Sequence, residues 1–255
     1  MKKLSSFLVV LLLMLASFTA GIEYPRGDVS QDGQVNISDV SVLIDYLLTG
    51  TWDDEPVNHE YVDLGLPSGT LWATCNVGAN NPEEYGDYFA WGETEPKDVY
   101  NEYNYKWYIS HQYAPDTLTK YNTVSYLGQV DYKTELDLED DAAYVNWGPS
   151  WRMPSETQLE ELLDNCTWTW TTMNNFKGYS VTGPNGNTMF LPAAGIRLDS
   201  SLNYTDMDGY YWSRTLYTRN PLHGCSITIL QDSHLWDFAA RFDGLSVRAV
   251  RVSQN

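Results

Sequence analysis

Residues 7–15 form an unbroken apolar run, FLVVLLLML, behind Lys2 and Lys3 and ahead of the small residues Thr19, Ala20 and Gly21. A positive start, a short apolar stretch and a small-residue exit predict a signal peptide over residues 1–21. The run falls short of the ~20 residues that span a bilayer, and no other stretch reaches that length. An uncleaved anchor is the alternative. The next pattern has helical period: Val40, Leu43, Ile44, Leu47 and Leu48 repeat at i, i+3, i+4, i+7 and i+8, and Gly50 ends the stripe. Residues 51–58, TWDDEPVN, have no apolar period and read as a linker.

Beyond residue 58 the period changes. Tyr61-Val62-Asp63-Leu64-Gly65-Leu66 alternates as a first strand, closed by Pro67 and Gly69. Tyr179-Ser180-Val181 and Met189-Phe190-Leu191 flank Gly183-Pro184-Asn185-Gly186, a hairpin whose Pro suits position i+1 of a type I turn. Ser226–Leu230 and Ser246–Val252 are further short strands. One helix is clear. Ser155 and Gln158 match a capping box after Pro154, and Leu159, Leu162 and Leu163 supply an apolar face. Glu156, Glu160 and Glu161 fall in its early turns, where the helix dipole favours acids, and read as solvated surface charge. Residues 96–146 are polar, Tyr-rich and aperiodic, and read as long loops. The predicted class is α+β with strands dominating.

Composition narrows the functional classes. The net charge is −19, and losing a leader with two lysines deepens it. Such acidity repels nucleic acid and anionic membrane, so no nucleic-acid partner and no membrane insertion after leader cleavage are expected. Cys75, Cys166 and Cys225 are too few for a disulfide framework. Either one bridge forms, with Cys75–Cys166 favoured by their apolar, Trp-rich surroundings, or the thiols pack as small free hydrophobes.

Residues 27–50 carry the sharpest chemical signal. From Asp28, oxygen-bearing side chains fall at loop positions 1, 3, 5, 9 and 12: Asp28, Ser30, Asp32, Asn36 and Asp39. Gln34 stands at position 7, where a backbone carbonyl serves, and Gly33 at position 6, where the loop turns sharply. Calcium takes six to eight oxygens, and this spacing wraps them around one point ahead of an apolar helix. The expected cofactor is Ca2+. The stretch resembles one repeat of a type I dockerin, which implies docking to a cohesin-like receptor or another surface protein. The repeat is single here, and Ser30 stands where that family has Asn or Asp.

Further blocks resemble the Fibrobacter succinogenes major paralogous domain. They are Val62–Leu66, Leu71–Ala79, Tyr85–Glu93, Trp151–Pro154, Gly209–Ser213 and Ser246–Arg248, in the family's order. The Arg152-Met153-Pro154-Ser155 helix entry and the closing Gly244–Arg248 resemble the C-type-lectin-like fold of formylglycine-generating enzymes. That resemblance implies a lectin-like domain over residues 59–255, behind a dockerin-like repeat over residues 22–50, in a secreted or cell-surface protein. The oxidase uses a cysteine pair near its C-terminal end, and only Cys225 lies there.

No reactive constellation stands out. His59, His111, His223 and His234 lack zinc-ligand spacing, and there is no Gly-x-Ser-x-Gly elbow. The expectation is a binding protein, not an enzyme, taking a glycan or a protein ligand. A polysaccharide-degradation accessory or hydrolase, and a structural or adhesive unit, are the alternatives. Lectin-like folds bind through loop side chains near the C-terminal end, which points to Arg214, Tyr217, Arg219, His223, His234 and Trp236, with Trp212 assigned to the core.

Overall fold

The computed structural model describes Val40, Leu43 and residues 59–109 and 117–251. The chain divides into two compact units, Met1–Asp54 and Glu55–Asn255. In the first, Val40 and Leu43 are both helical, Val40 exposed and Leu43 half-buried. The second is mainly β with few helices. Among the described residues no helix is long and apolar enough to cross a membrane.

In chain order the second unit begins with β1 (Tyr61–Asp63), β2 (Leu71–Ala73), β3 (Tyr88–Phe89), β4 (Tyr108–Ile109) and β5 (Thr117–Leu118). Then come α1 (Ala142–Trp147), β6 (Trp151–Arg152), α2 (Glu156–Asn165), β7 (Thr167–Met173), β8 (Phe176–Thr182) and β9 (Thr188–Pro192). The chain closes with β10 (Ile196–Leu198), β11 (Ser201–Asn203), β12 (Asp208–Leu216), β13 (His223–Leu230), β14 (Ser233–Ala240), β15 (Leu245–Ser246) and β16 (Val250–Arg251). One sheet has the order β14-β13-β12-β15-β3, a second β1-β2-β16-β6, and a third β7-β8-β9, beside the pairs β4-β5 and β10-β11. The only parallel neighbours among these strands are β12 and β15, paired at Tyr211 and Ser246.

The period-2 geometry of β12 separates two cores. Trp212 is fully buried with Phe89, Trp91, Trp151 and Leu245, and its indole N–H donates to the Phe89 carbonyl at 2.7 Å. The neighbouring Tyr211 points the other way, where Ile227, Ile229, Leu159 and Leu162 pack with it. Leu159 and Leu162 press α2 onto this face, each contributing roughly 1.5–3 kcal/mol by burial. Gly224 on β13 passes so close to the Trp91 ring that a Cβ there would lie 2.6 Å from it. Any side chain at that position would push the sheet off the first core.

The capping box at α2 forms as its sequence predicts. The Gln158 N–H donates to Ser155 Oγ at 3.2 Å, and the Ser155 N–H returns to Gln158 Oε1 at 2.9 Å. The 179–191 hairpin forms as β8 and β9, closed by a bond from the Gly186 N–H to the Gly183 carbonyl with Gly186 at φ +85°. The first strand is shorter than its alternation suggested. Asp63 Oδ1 takes the Gly65 N–H at 2.7 Å, and Gly65 turns at φ +70°.

The closing strand is split. Its residues pair with β12 and β3 as β15, then cross to lie between β2 and β6 as β16. At the crossing Arg248 is buried, donating from Nε to Asn76 Oδ1 and from Nη1 to the Ala73 and Thr74 carbonyls. The described part of the 96–146 stretch is largely irregular, but it holds the β4-β5 pair, most of α1 and three short 3₁₀ turns. All three cysteines are free thiols, Cys225 buried and the other two half-buried.

Candidate functional site

The site grows from a fault in β12. Its register with β13 shifts between Trp212 and Leu216, and the displaced residues turn toward the start of α2. There the Arg214 N–H donates to the Pro154 carbonyl at 2.8 Å, and Thr215 Oγ1 accepts the Glu156 N–H at 3.0 Å. One of the helix's orphan donors is thereby satisfied from the neighbouring strand. After β12 the chain folds through a tight turn: the Asn220 N–H bonds the Tyr217 carbonyl and the His223 N–H bonds the Asn220 carbonyl. Thr218 and Arg219 stand exposed at its tip.

Between this turn, the first turns of α2 and the β13–β14 surface lies a cavity of about 430 Å³. Tyr217, Arg219 and Trp236 line it, together with Glu156, Glu160, Cys225, Leu216 and the threonines 134, 215 and 218. The carboxylates arrive there because residues four apart share a helix face. Cys225 arrives because it alternates on β13 with Ile227 and Ile229, toward the side that α2 covers. Burial pushes the Cys225 thiol well above its ordinary pKa, and the charge and hydrogen bond of Glu156 and the charge of Glu160 push it further. It is held as a neutral thiol, the opposite of an activated nucleophile. None of the ion pairs among the described residues involves Glu156, Glu160 or Arg219.

The remaining side chains expected to bind ligand lie elsewhere. Arg214 is engaged: Nε pairs with Glu135 Oε2 at 3.1 Å, and Nη1 donates to the Met153 carbonyl and to Gln158 Oε1. It ties β12 to the entry of α2 and lines no part of the cavity. His223 meets Phe238 edge-on at 5.3 Å and Tyr217 at 6.5 Å, and Tyr217 stacks flat on Phe238 at 4.3 Å. His234 is further along β14, stacked on Trp168 at 4.5 Å and edge-on to Tyr179. Burial lowers the pKa of both imidazoles, so each packs as a neutral ring. His59 stacks on Trp147 at 3.7 Å, and His111 lies outside the described residues.

The calcium-loop residues Asp28, Ser30, Asp32, Gln34, Asn36 and Asp39 also lie outside the described residues. Among those described, one acidic trio could hold a metal ion, Asp137, Glu139 and Asp140, with ligand atoms within 4.8 Å of one another. A cation is already there. Lys120 Nζ sits 2.6 Å from Asp137 and 2.6 Å from Asp140, and Lys106 Nζ lies 2.9 Å from Asp140. The Tyr121 hydroxyl donates to the same Asp140 carboxylate at 2.6 Å. Burial opposes the Lys120 charge, yet bonds to Asp137 and Asp140 hold its pKa above the ordinary value. Lys133 Nζ also contacts Asp137, so three ammonium groups answer the three carboxylates of the trio.

The carboxylate pair of the cavity was legible in principle from the i, i+4 spacing of Glu156 and Glu160. Its partner surface was not, because nothing local shows that Cys225 and Trp236 meet that helix face. Comparison with known protein families, with curated proteins and with solved structures finds no match for the chain.

Proposed function

We propose that the chain is an exported binding protein whose large unit, of lectin-like fold, takes a glycan at the cell surface through the cavity beside α2. The observation that carries this reading is the cavity itself: an open cleft of about 430 Å³ in which Glu160 and Arg219 make no ion pair beside the Trp236 ring. That volume lies within the range of roughly 300–1,000 Å³ typical of small-ligand sites, and suits a sugar unit better than a flat protein face. Aromatic surface with carboxylate and guanidinium groups matches what a sugar offers, apolar ring faces edged by hydroxyls. Both carboxylates come from one face of one helix. In this reading they hold the ligand and do not cleave it. The proposed dockerin-like repeat adds a calcium-dependent means of attachment, separate from the sugar site.

The test is binding of the full chain to immobilised bacterial surface glycans, once in calcium and once in chelator. Saturable binding retained in chelator and lost in Arg219→Ala and Trp236→Ala supports the reading. Binding that both substitutions leave intact places recognition elsewhere on the molecule.

A further inference from the structure

We propose that the sugar bound in this cavity carries a positively charged amino group, seated against Glu160 and Glu156; the inference rests on the cavity being the sugar site. The charges are unbalanced. Two carboxylates and one guanidinium line the cavity, and the chain as a whole carries −19. Some acids elsewhere in this unit are in contact with cations, namely Glu93 with Lys97, Asp137 and Asp140 with Lys120, Asp141 with Arg152, and Glu135 with Arg214. Glu156 and Glu160 are left without one.

The helix dipole accounts for an acid in the first turn, and so for Glu156. Glu160, one turn later on the same cavity wall, is exposed, so water answers its charge until a ligand takes that place. A neutral ligand would displace water from Glu160 and return only neutral hydrogen bonds. An ammonium returns a charge-assisted one, which is about twice as strong. The aromatic wall favours the same choice. Tyr217 has one face covered by Phe238, whereas no ring in the described residues stacks flat on Trp236. A cation near an indole face gains electrostatic attraction that a hydroxyl does not. Arg219, exposed at the mouth, is placed to donate to the hydroxyl edge of the same ring or of the next one along a chain.

The test compares three oligosaccharides with one β-1,4 backbone that differ only at C2, bearing a free amine, an acetamide or a hydroxyl. Titration calorimetry on the full chain at pH 6 keeps the amine charged and the carboxylates ionised. The expected result is that the amine form binds at least about tenfold tighter than either neutral form, or ~1.4 kcal/mol. Glu160→Gln should erase that advantage, so that the amine form binds the variant no tighter than the neutral forms do. Equal binding of all three overturns the charge assignment and leaves the sugar site standing. Amine-form binding that survives Glu160→Gln would be general attraction to an acidic chain, and overturns the assignment too. Failure of all three to bind removes the sugar reading along with it.

Discussion

Around Lys120 the carboxylates of Asp137, Glu139 and Asp140 converge on one ammonium, and the next acid, Asp141, is fully buried and equally committed. Its oxygens accept the Ala143 and Tyr144 N–H groups that begin α1, the Met153 N–H, and Arg152 Nε at 2.8 Å. A few residues on, Glu156 and Glu160 face a cavity with no cation against either. The two regions are alike in composition and opposite in use. A buried carboxylate is tolerable only when its charge and lone pairs are answered from within the protein. Where the group borders open volume, as exposed Glu160 does, water can answer the charge, and in the proposed reading a ligand takes the place of that water. Acid count alone distinguishes neither case.

The contrast can be broken most severely at Asp141. Asp141→Ala leaves three N–H groups and the Arg152 guanidinium without their acceptor, and should cost about 3–5 kcal/mol in urea denaturation. A loss below 1 kcal/mol would mean that the internal network is not what holds α1 and β6 together.

Asp243 offers an intermediate case, since it is half-buried, forms no ion pair and has Asp199 nearby. Burial pushes its pKa up to about 7, the Asp199 charge adds to this, and a backbone bond at Ala240 opposes it. The folded state therefore keeps a proton that the unfolded chain gives up near pH 4. Below that pH both states are protonated and the group costs nothing; above pH 7 the full cost is present. Stability should fall by about 2–4 kcal/mol as pH rises across that window. Urea midpoints at pH 4.5, 6 and 7.5 should trace the fall, and Asp243→Asn should flatten it. An unchanged slope in that variant would assign the titration to another group.

Arg214 should behave as structure. Arg214→Ala removes the bonds to Glu135, Met153 and Gln158, and should lower stability by about 1–2 kcal/mol. Lysine should restore little of this, because it lacks the planar fork. Full recovery by lysine would reduce the contact to a simple charge effect. The smallest effects on stability belong to the cavity: Glu160→Gln and Arg219→Ala should each stay within about 0.5 kcal/mol of the parent protein by thermal melting. A loss above 1 kcal/mol in either would show that the group has a structural partner after all.

Much of the fold was legible where the signal is local. The capping box of α2, its Leu face and the Gly183–Gly186 turn need only neighbouring residues, and each formed as read. Trp212 fell in the core, as the average burial of tryptophan suggests. Alternation failed in two directions. Thr167-Trp-Thr-Trp-Thr-Thr-Met is a seven-residue strand whose pattern passed unread among the threonines. The 246–252 stretch read as one strand and is two, because its partners lie in different sheets. The candidate site divided in the same way. Tyr217, Arg219 and Trp236 came together at the cavity, while Arg214, His223 and His234 were drawn off by contacts distant in sequence. Chemistry at each position was readable; which positions would meet was a property of the sheet.

The crossing of the closing segment from one sheet to the other also governs when the large unit can fold. Val250 is inserted between Trp72 and Arg152, so β2 and β6 have no common neighbour until residue 251 has left the ribosome. Without β15, β3 likewise has nothing to join it to β12. Strand pairings over such separations are slow to find and reward the chain only once all of it is present. The joining of the sheets thus waits until synthesis has passed β16, whereas the β7-β8-β9 and β12-β13-β14 meanders can pair as soon as their own residues emerge.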